Sequence, residues 1–238
     1  MNYLLEVCLV ALTLATGIPP SIVTQSQAIA VQAMQKGISV ELPVTSNAIP
    51  MPDADKEDAL IVSVTGDGSV YFGVNPISPA ALAEKLKGVL SNRTEKKLYI
   101  KADARTPYAN VVKVLGALRT AGVEAPNLLT AQPDSSEPGT LVPPKGLEVL
   151  IGPPLPSGSE AIVVQVLNSG QRRPALKIDN EPVPWAALQS RLRQILQNRS
   201  EKAVLVKAEG TLPFAGVVDV IDVCRSTGAK VVLVTPGP

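Results

Sequence analysis

Between Ala59 and Thr130 the apolar positions change their period several times, and each change marks an element. The run ALIVSV (59–64), the turn residues Gly66-Asp67-Gly68 and the run SVYFG (69–73) read as two strands joined by a glycine-containing turn. Leu82, Leu86, Val89 and Leu90 then recur at helical spacing behind Ser78 as N-cap and Pro79 at the first helical position, which predicts an amphipathic helix. LYIKA (98–102) reads as a third strand. A second helix begins at Pro107, lines Val111, Val114, Leu115 and Leu118 along one face and stops at Gly122, the residue type that closes helices most readily. APNLLT (125–130) is the last strand. The order is ββαβαβ, with the helices on one face of a small sheet.

The same pattern occurs again. Shifted by 106 positions, residues 81–123 fall on residues 187–229 with 17 of 43 positions identical. Upstream, with altered spacing, ALIVSV matches AIVVQV (161–166) and KGISVELP (36–43) matches KGLEVLIG (145–152). The helix stripes return as Leu188, Leu192, Ile195 and Leu196, and as Val217, Val220, Ile221 and Cys224 before Gly228; the strands return as VLVKA (204–208) and KVVLVT (230–235). Self-similarity at a fixed offset is the mark of a duplicated structural unit. The expected fold class is therefore α/β (α+β): two tandem ββαβαβ two-layer domains after a single N-terminal apolar, transmembrane helix. The boundaries are a membrane anchor and juxtamembrane segment over 1–35, a first domain with its leading strand over 36–130, a Pro/Ser-rich linker over 131–144 and a second domain over 145–238. The stretches TSNAIPMPDADKED (45–58) and AQPDSSEPGTLVPP (131–144) are rich in Pro, Ser and Asp and read as extended, semi-rigid spacers that cannot fold alone.

Composition narrows the chemistry. With 22 Lys and Arg against 21 Asp and Glu the formal charge is +1, too little to neutralise nucleic-acid phosphates, so nucleic acid is not an expected partner. The chain contains no histidine, which removes His-based nucleophile activation and His-ligated metal. Cys8 and Cys224 are the only cysteines, too few and too differently placed for a zinc site or a disulfide. No acid, base and nucleophile recur together in both copies, so no catalytic residues, cofactor or metal are assigned and an enzyme is not expected. Leu4 to Ile18 carries one charge, Glu6, before Pro19 and Pro20. As a helix it would span about 22 Å. It reads as a retained membrane anchor, or as a signal segment cleaved after Ala28 or Ala30.

The stretch KADARTPYANVVKVLGALRTAGV followed by LLT resembles the periplasmic domain of the ExbD/TolR biopolymer-transport family. That domain carries an acidic residue, a short spacer, Pro, an aromatic and then a Val-rich helix ending in Ala-Gly. Asp103, Pro107 and Tyr108 fit this pattern in the first copy; Glu209, Pro213 and Phe214 are a diverged form in the second. MQKGISVELPVTS is similar to the segment that follows the family's membrane helix. LLEVCLV (4–10) resembles the start of that helix, with Glu6 where the family has a single Asp.

The resemblance implies a proton-motive-force-driven inner-membrane complex. Within it, ExbB/TolQ-like ring subunits enclose ExbD-type helices, and motion passes to a TonB/TolA-like protein that energises envelope transport. It implies a single-pass inner-membrane protein with its C-terminal domains in the periplasm, and a second ExbD-like chain and peptidoglycan as further partners. Glu6 would be the proton-carrying carboxylate, because a charge in hydrocarbon costs about 3 kcal/mol on insertion scales and is held there for a purpose; read alone, Glu6 is equally a polar helix end in interfacial water. Asp103, Pro107, Tyr108, Glu209, Pro213 and Phe214 are the partner-binding candidates. Asp103 also reads as a loop carboxylate that satisfies backbone amides, and the two aromatics as core. The competing class is an exported envelope-binding module, for peptidoglycan or protein, with no proton role. Two linked copies should close into an intramolecular pseudo-dimer, with 36–43 or 145–152 pairing with a sheet edge of the other copy.

Overall fold

The computed structural model describes residues 37–132, 143–153 and 161–235. The apolar segment with Glu6 and most of the 131–144 linker lie outside the described residues. The first copy contains β1 (Ile49–Pro50), β2 (Leu60–Val64), β3 (Val70–Phe72), β4 (Asn75–Pro76), α1 (Pro79–Leu90), β5 (Leu98–Ala102), α2 (Tyr108–Thr120) and β6 (Asn127–Thr130). The second contains β7 (Lys145–Glu148), β8 (Leu150–Gly152), β9 (Ile162–Leu167), β10 (Ala175–Ile178), β11 (Glu181–Pro182), α3 (Trp185–Leu196), β12 (Ala203–Ala208), α4 (Phe214–Ser226) and β13 (Lys230–Val234). The protein is thus mixed α/β with two sheets and four helices among the described residues. Strand order is β1-β7-β6-β5-β2-β3-β4 in one sheet and β11-β10-β9-β12-β13-β8 in the other.

Local chemistry explains the element ends. Ser78 Oγ accepts from the Ala81 amide at 3.2 Å, so α1 begins where its side chain satisfies an orphan donor. Gly122 takes φ +80 after α2, and Val123 N–H returns to the Leu118 carbonyl at 2.9 Å, the Schellman closure that glycine permits. The β10–β11 turn places Asp179 and Asn180 at φ 49 and 75, the pair of left-handed residues that a two-residue hairpin needs.

The leading segments depart from expectation. Of the leading strand expected over 36–43, the described residues 37–43 form no ladder, and the chain makes an isolated bridge at Val44 with Ala131 before β1. This segment lies across the first sheet instead of along its edge, so its backbone cannot enter a regular ladder. The stretch 45–58 is not merely an extended spacer either. It forms β1 and a short 3-10 helix over Pro52–Asp55, because Met51 and Ala54 find Ile61, Tyr99 and Leu129 to pack on. β2 and β5 are consequently buried at every position, with α1 and α2 on one face and residues 37–55 on the other. β9 alternates buried with half-buried positions, since helices cover it on one side.

The second leading segment pairs as foreseen. β7 adds antiparallel to β6, the edge of the first copy's sheet, with Leu129 opposite Gly146, whereas β8 adds parallel to β13 in the second. One stretch of chain therefore belongs to both sheets and turns between them at buried Val149. Gly146 permits this crossing: a Cβ there would lie 2.4 Å from the Leu128 carbonyl oxygen. The buried side chains of both copies, from Val62 and Leu115 to Val164 and Ile221, form one contiguous cluster rather than two separate cores.

Candidate functional site at the junction of the two copies

Helices α2 and α4 start without a side-chain N-cap. Pro107 and Pro213 occupy the cap positions, so the first amides of each helix need acceptors from elsewhere. They find them in the other copy. Tyr108 N–H donates to the Leu212 carbonyl at 2.8 Å and Ala109 N–H to Gly210 at 2.9 Å; Phe214 N–H donates to Thr106 at 2.9 Å and Ala215 N–H to Ala104 at 2.9 Å. Under the 106-residue offset these four bonds are two equivalent pairs, which is the reciprocity of an isologous contact. Pro107 sits opposite Pro213 in an antiparallel bridge. Each copy thereby caps the other's second helix.

This junction gathers most of the sequence-derived candidates. Tyr108 and Phe214 are each 1 % exposed, and Pro107 and Pro213 remain at the surface beside them. The Tyr108 hydroxyl is buried without a hydrogen-bond partner among the described residues, and burial holds its phenol well above the ordinary range. Phe214 fills the equivalent place with no polar atom to satisfy.

The two acidic candidates have diverged. Asp103 is buried and takes a bidentate pair from Arg105, Nε and Nη2 both at 2.9 Å, together with the Arg105 amide at 3.0 Å and the Glu41 amide at 3.3 Å. The Arg105 guanidinium, aided by these amides, holds the carboxyl down at about 2 against the opposing effect of burial. Ala104 N–H in turn donates to the Glu41 carbonyl at 2.7 Å. Asp103 thus fastens the segment that crosses the sheet. Glu209 is exposed and accepts instead from the Asn168 amide at 2.8 Å, closing the end of its own β9–β10 hairpin.

Several residues at the junction carry no signal by motif. Asp222 on α4 accepts from Ser46 N–H at 3.1 Å, Asn47 N–H at 2.9 Å and Asn47 Nδ2 at 3.0 Å, tying the first copy's leader to the second copy's helix. The available hint was an aspartate within VVDVIDVC, where the first copy has Gly116. Arg119 Nη1 reaches Thr235 Oγ1 at 2.9 Å and its repeat equivalent Arg225 reaches Glu148 at 3.3 Å, so equivalent arginines span the junction from both sides. Among the described residues no group of acidic or cysteine side chains is arranged to hold a metal, and buried Cys224 has its thiol pushed up to about 12 by desolvation. Among the described residues the junction is built of reciprocal backbone caps and carboxylate latches. No helix among the described residues is long and apolar enough to cross a membrane.

Comparison with known proteins bears on what such a paired unit serves. The family model described as "Biopolymer transport protein ExbD/TolR" matches twice, over residues 27–132 and 133–237. The Tol-Pal system protein TolR of Pseudomonas aeruginosa is 31 % identical over 112 residues, which cover 42 % of this chain and 75 % of that protein. The biopolymer transport protein ExbD of the same organism is 25 % identical over 99 residues, 42 % of this chain and 72 % of the relative. ExbD of Escherichia coli is 26 % identical over 85 residues, 36 % and 58 % of the two chains.

Proposed function

This chain belongs to the ExbD/TolR family over both of its halves, and from that premise we propose that it is the inner-membrane subunit of a proton-motive-force-driven complex that energises envelope transport. The observation that carries the reading is the double family match on two copies whose second helices cap each other. One chain supplies in cis the paired periplasmic unit on which a TonB- or TolA-like protein would act. Linkage sets the effective concentration of the two copies at about the millimolar range, so their pairing needs no second chain.

In this reading residues 4–18 anchor the unit among ExbB/TolQ-like ring subunits, and Glu6 carries the proton. Protonation removes a charge that costs about 3 kcal/mol in hydrocarbon, and motion of the anchor reaches the domains through residues 37–47. That segment is held by Asp103 in one copy and by Asp222 in the other, so a pull on it is delivered to both. With Tyr108 and Phe214 buried, the parts of the candidate set open to an outside partner are Pro107, Pro213 and Glu209.

The test is replacement of Glu6 in the full chain. Glu6→Gln should abolish energy-dependent envelope function at unchanged membrane abundance, and Glu6→Asp should retain it. Full function in the Gln variant, or a mature soluble product beginning near residue 29 or 31, would favour an exported envelope-binding module.

A further inference from the structure

The two copies differ most in the sheet face turned away from the helices. In the first copy Ser63 and Lys101 stand opposite each other in register, and both are buried beneath the crossing segment; a Cβ on Gly37 would lie 3.0 Å from Ser63 Oγ. The equivalent row in the second copy is Lys177, Gln165 and Lys207, aligned across β10, β9 and β12. Here Lys207 is exposed, and Lys177 and Gln165 are half-buried. Beside them Val163, Leu205 and Val232 form an apolar row across β9, β12 and β13, with Leu205 buried at its centre and Val163 and Val232 half-buried on either side. The stretch equivalent to the crossing segment, 145–152, runs along sheet edges as β7 and β8 instead of across this face.

We propose that the open face of the second sheet, with Lys177 and Lys207 beside the Val163–Leu205–Val232 row, binds an extended segment of a partner protein in which acidic side chains alternate with apolar ones. The first copy shows how such a segment sits: backbone across the strands, an apolar side chain, Leu42, packed toward Ile61, Tyr99 and Leu129, and ends fastened at the strand termini. The charge selects the occupant. Lys177 and Lys207 stand two strands apart, about 10 Å, within reach of alternate residues on one extended chain. Among the described residues neither lysine forms an ion pair with a carboxylate: Glu181 pairs with Arg191 at 3.5 Å, and Asp179 and Glu209 accept from the Val163 and Asn168 amides at 2.8 Å. A second copy laid face to face would oppose lysine to lysine, a repulsion that weighs against self-association here. The proposal rests on this face alone and holds whether or not the chain works in an energised complex.

The probe is a short fluorescent peptide alternating valine and glutamate, titrated against the full chain in detergent, with its valine–lysine counterpart as control. The acidic peptide should bind with amide shifts confined to β9, β10, β12 and β13. Binding should weaken at least about tenfold in the double variant Lys177→Glu, Lys207→Glu, and that variant should acquire affinity for the lysine peptide. Both positions point to solvent or its margin, and an unchanged melting temperature would confirm that folding is intact. Equal binding of the two peptides, shifts mapped to other surfaces, or attachment to phosphatidylglycerol vesicles without binding of the acidic peptide would each overturn the proposal.

Discussion

Gly146→Ala isolates the crossing strand that joins the two sheets. The added Cβ would lie 2.4 Å from the Leu128 carbonyl oxygen, 3.1 Å from its carbon and 2.8 Å from Met51 Sδ, where ordinary contacts begin near about 3.4 Å. The nearest atom is backbone, so rotation of a side chain cannot relieve it. β7 must move outward by about 1 Å, at the position where Leu129 faces Gly146 in a four-pair ladder. Overpacking of this kind costs about 1–3 kcal/mol, and the weakened ladder adds about 1 kcal/mol, for a total of about 2–4 kcal/mol. Gly152→Ala is the internal comparison, since its new methyl would meet a side-chain carbon, Val232 Cγ1 at 2.7 Å, and no backbone atom within 4 Å. Urea unfolding of the two variants measures both the midpoint and the slope. A large loss is predicted for Gly146→Ala, with either a lower slope or two transitions as the copies uncouple, and a smaller loss of about 1 kcal/mol in a single transition for Gly152→Ala. A Gly146 variant as stable as the Gly152 variant would refute it.

Tyr108→Phe removes a buried hydroxyl that has no partner among the described residues and copies the residue at 214; thermal unfolding should show unchanged or higher stability, by up to about 1 kcal/mol, since an unmet polar group is a cost. Asp103 is held at about 2 in the folded protein against 3.8 unperturbed, so its contribution is present above about pH 4 and is lost as pH falls through about 2. Melting curves across that window should steepen their acid loss in the parent and flatten it in Asp103→Asn, and indistinguishable profiles would sever Asp103 from acid stability.

Much of this architecture could be read because duplication tests each element twice. The stripe Leu82, Leu86, Leu90 recurs as Leu188, Leu192, Leu196, and all six are buried; a chance pattern would not repeat at one offset with its punctuation. The leading segment was harder. KGISVELP alternates apolar and polar residues whether its backbone pairs with an edge or lies across a face, because period two reports side-chain direction and not backbone partners. The turn at Pro52–Asp55 offers only Met51 and Ala54 as apolar residues, and tertiary packing rather than local pattern gives it form. Of the site, the residues were legible and the geometry was not. Pro107 with Tyr108 and Pro213 with Phe214 stood out as a motif, but mutual capping is a contact between loops about a hundred residues apart, and sequence spacing holds no information on it. The missing Ser, Thr, Asp or Asn at both cap positions was the one local clue that these helix starts need an outside acceptor.

The claim on which the account turns is that the two copies form one unit through the capped starts of α2 and α4. Native-state amide exchange at Tyr108, Ala109, Phe214 and Ala215 reads those four bonds directly. The account predicts that all four are as well protected as core amides such as Val114 and Val220, that they open together, and that protection does not change on dilution because the pairing is intramolecular. Fast exchange at the four amides while Val114 and Val220 stay protected would mean that each copy folds with its helix start open, and would contradict the account.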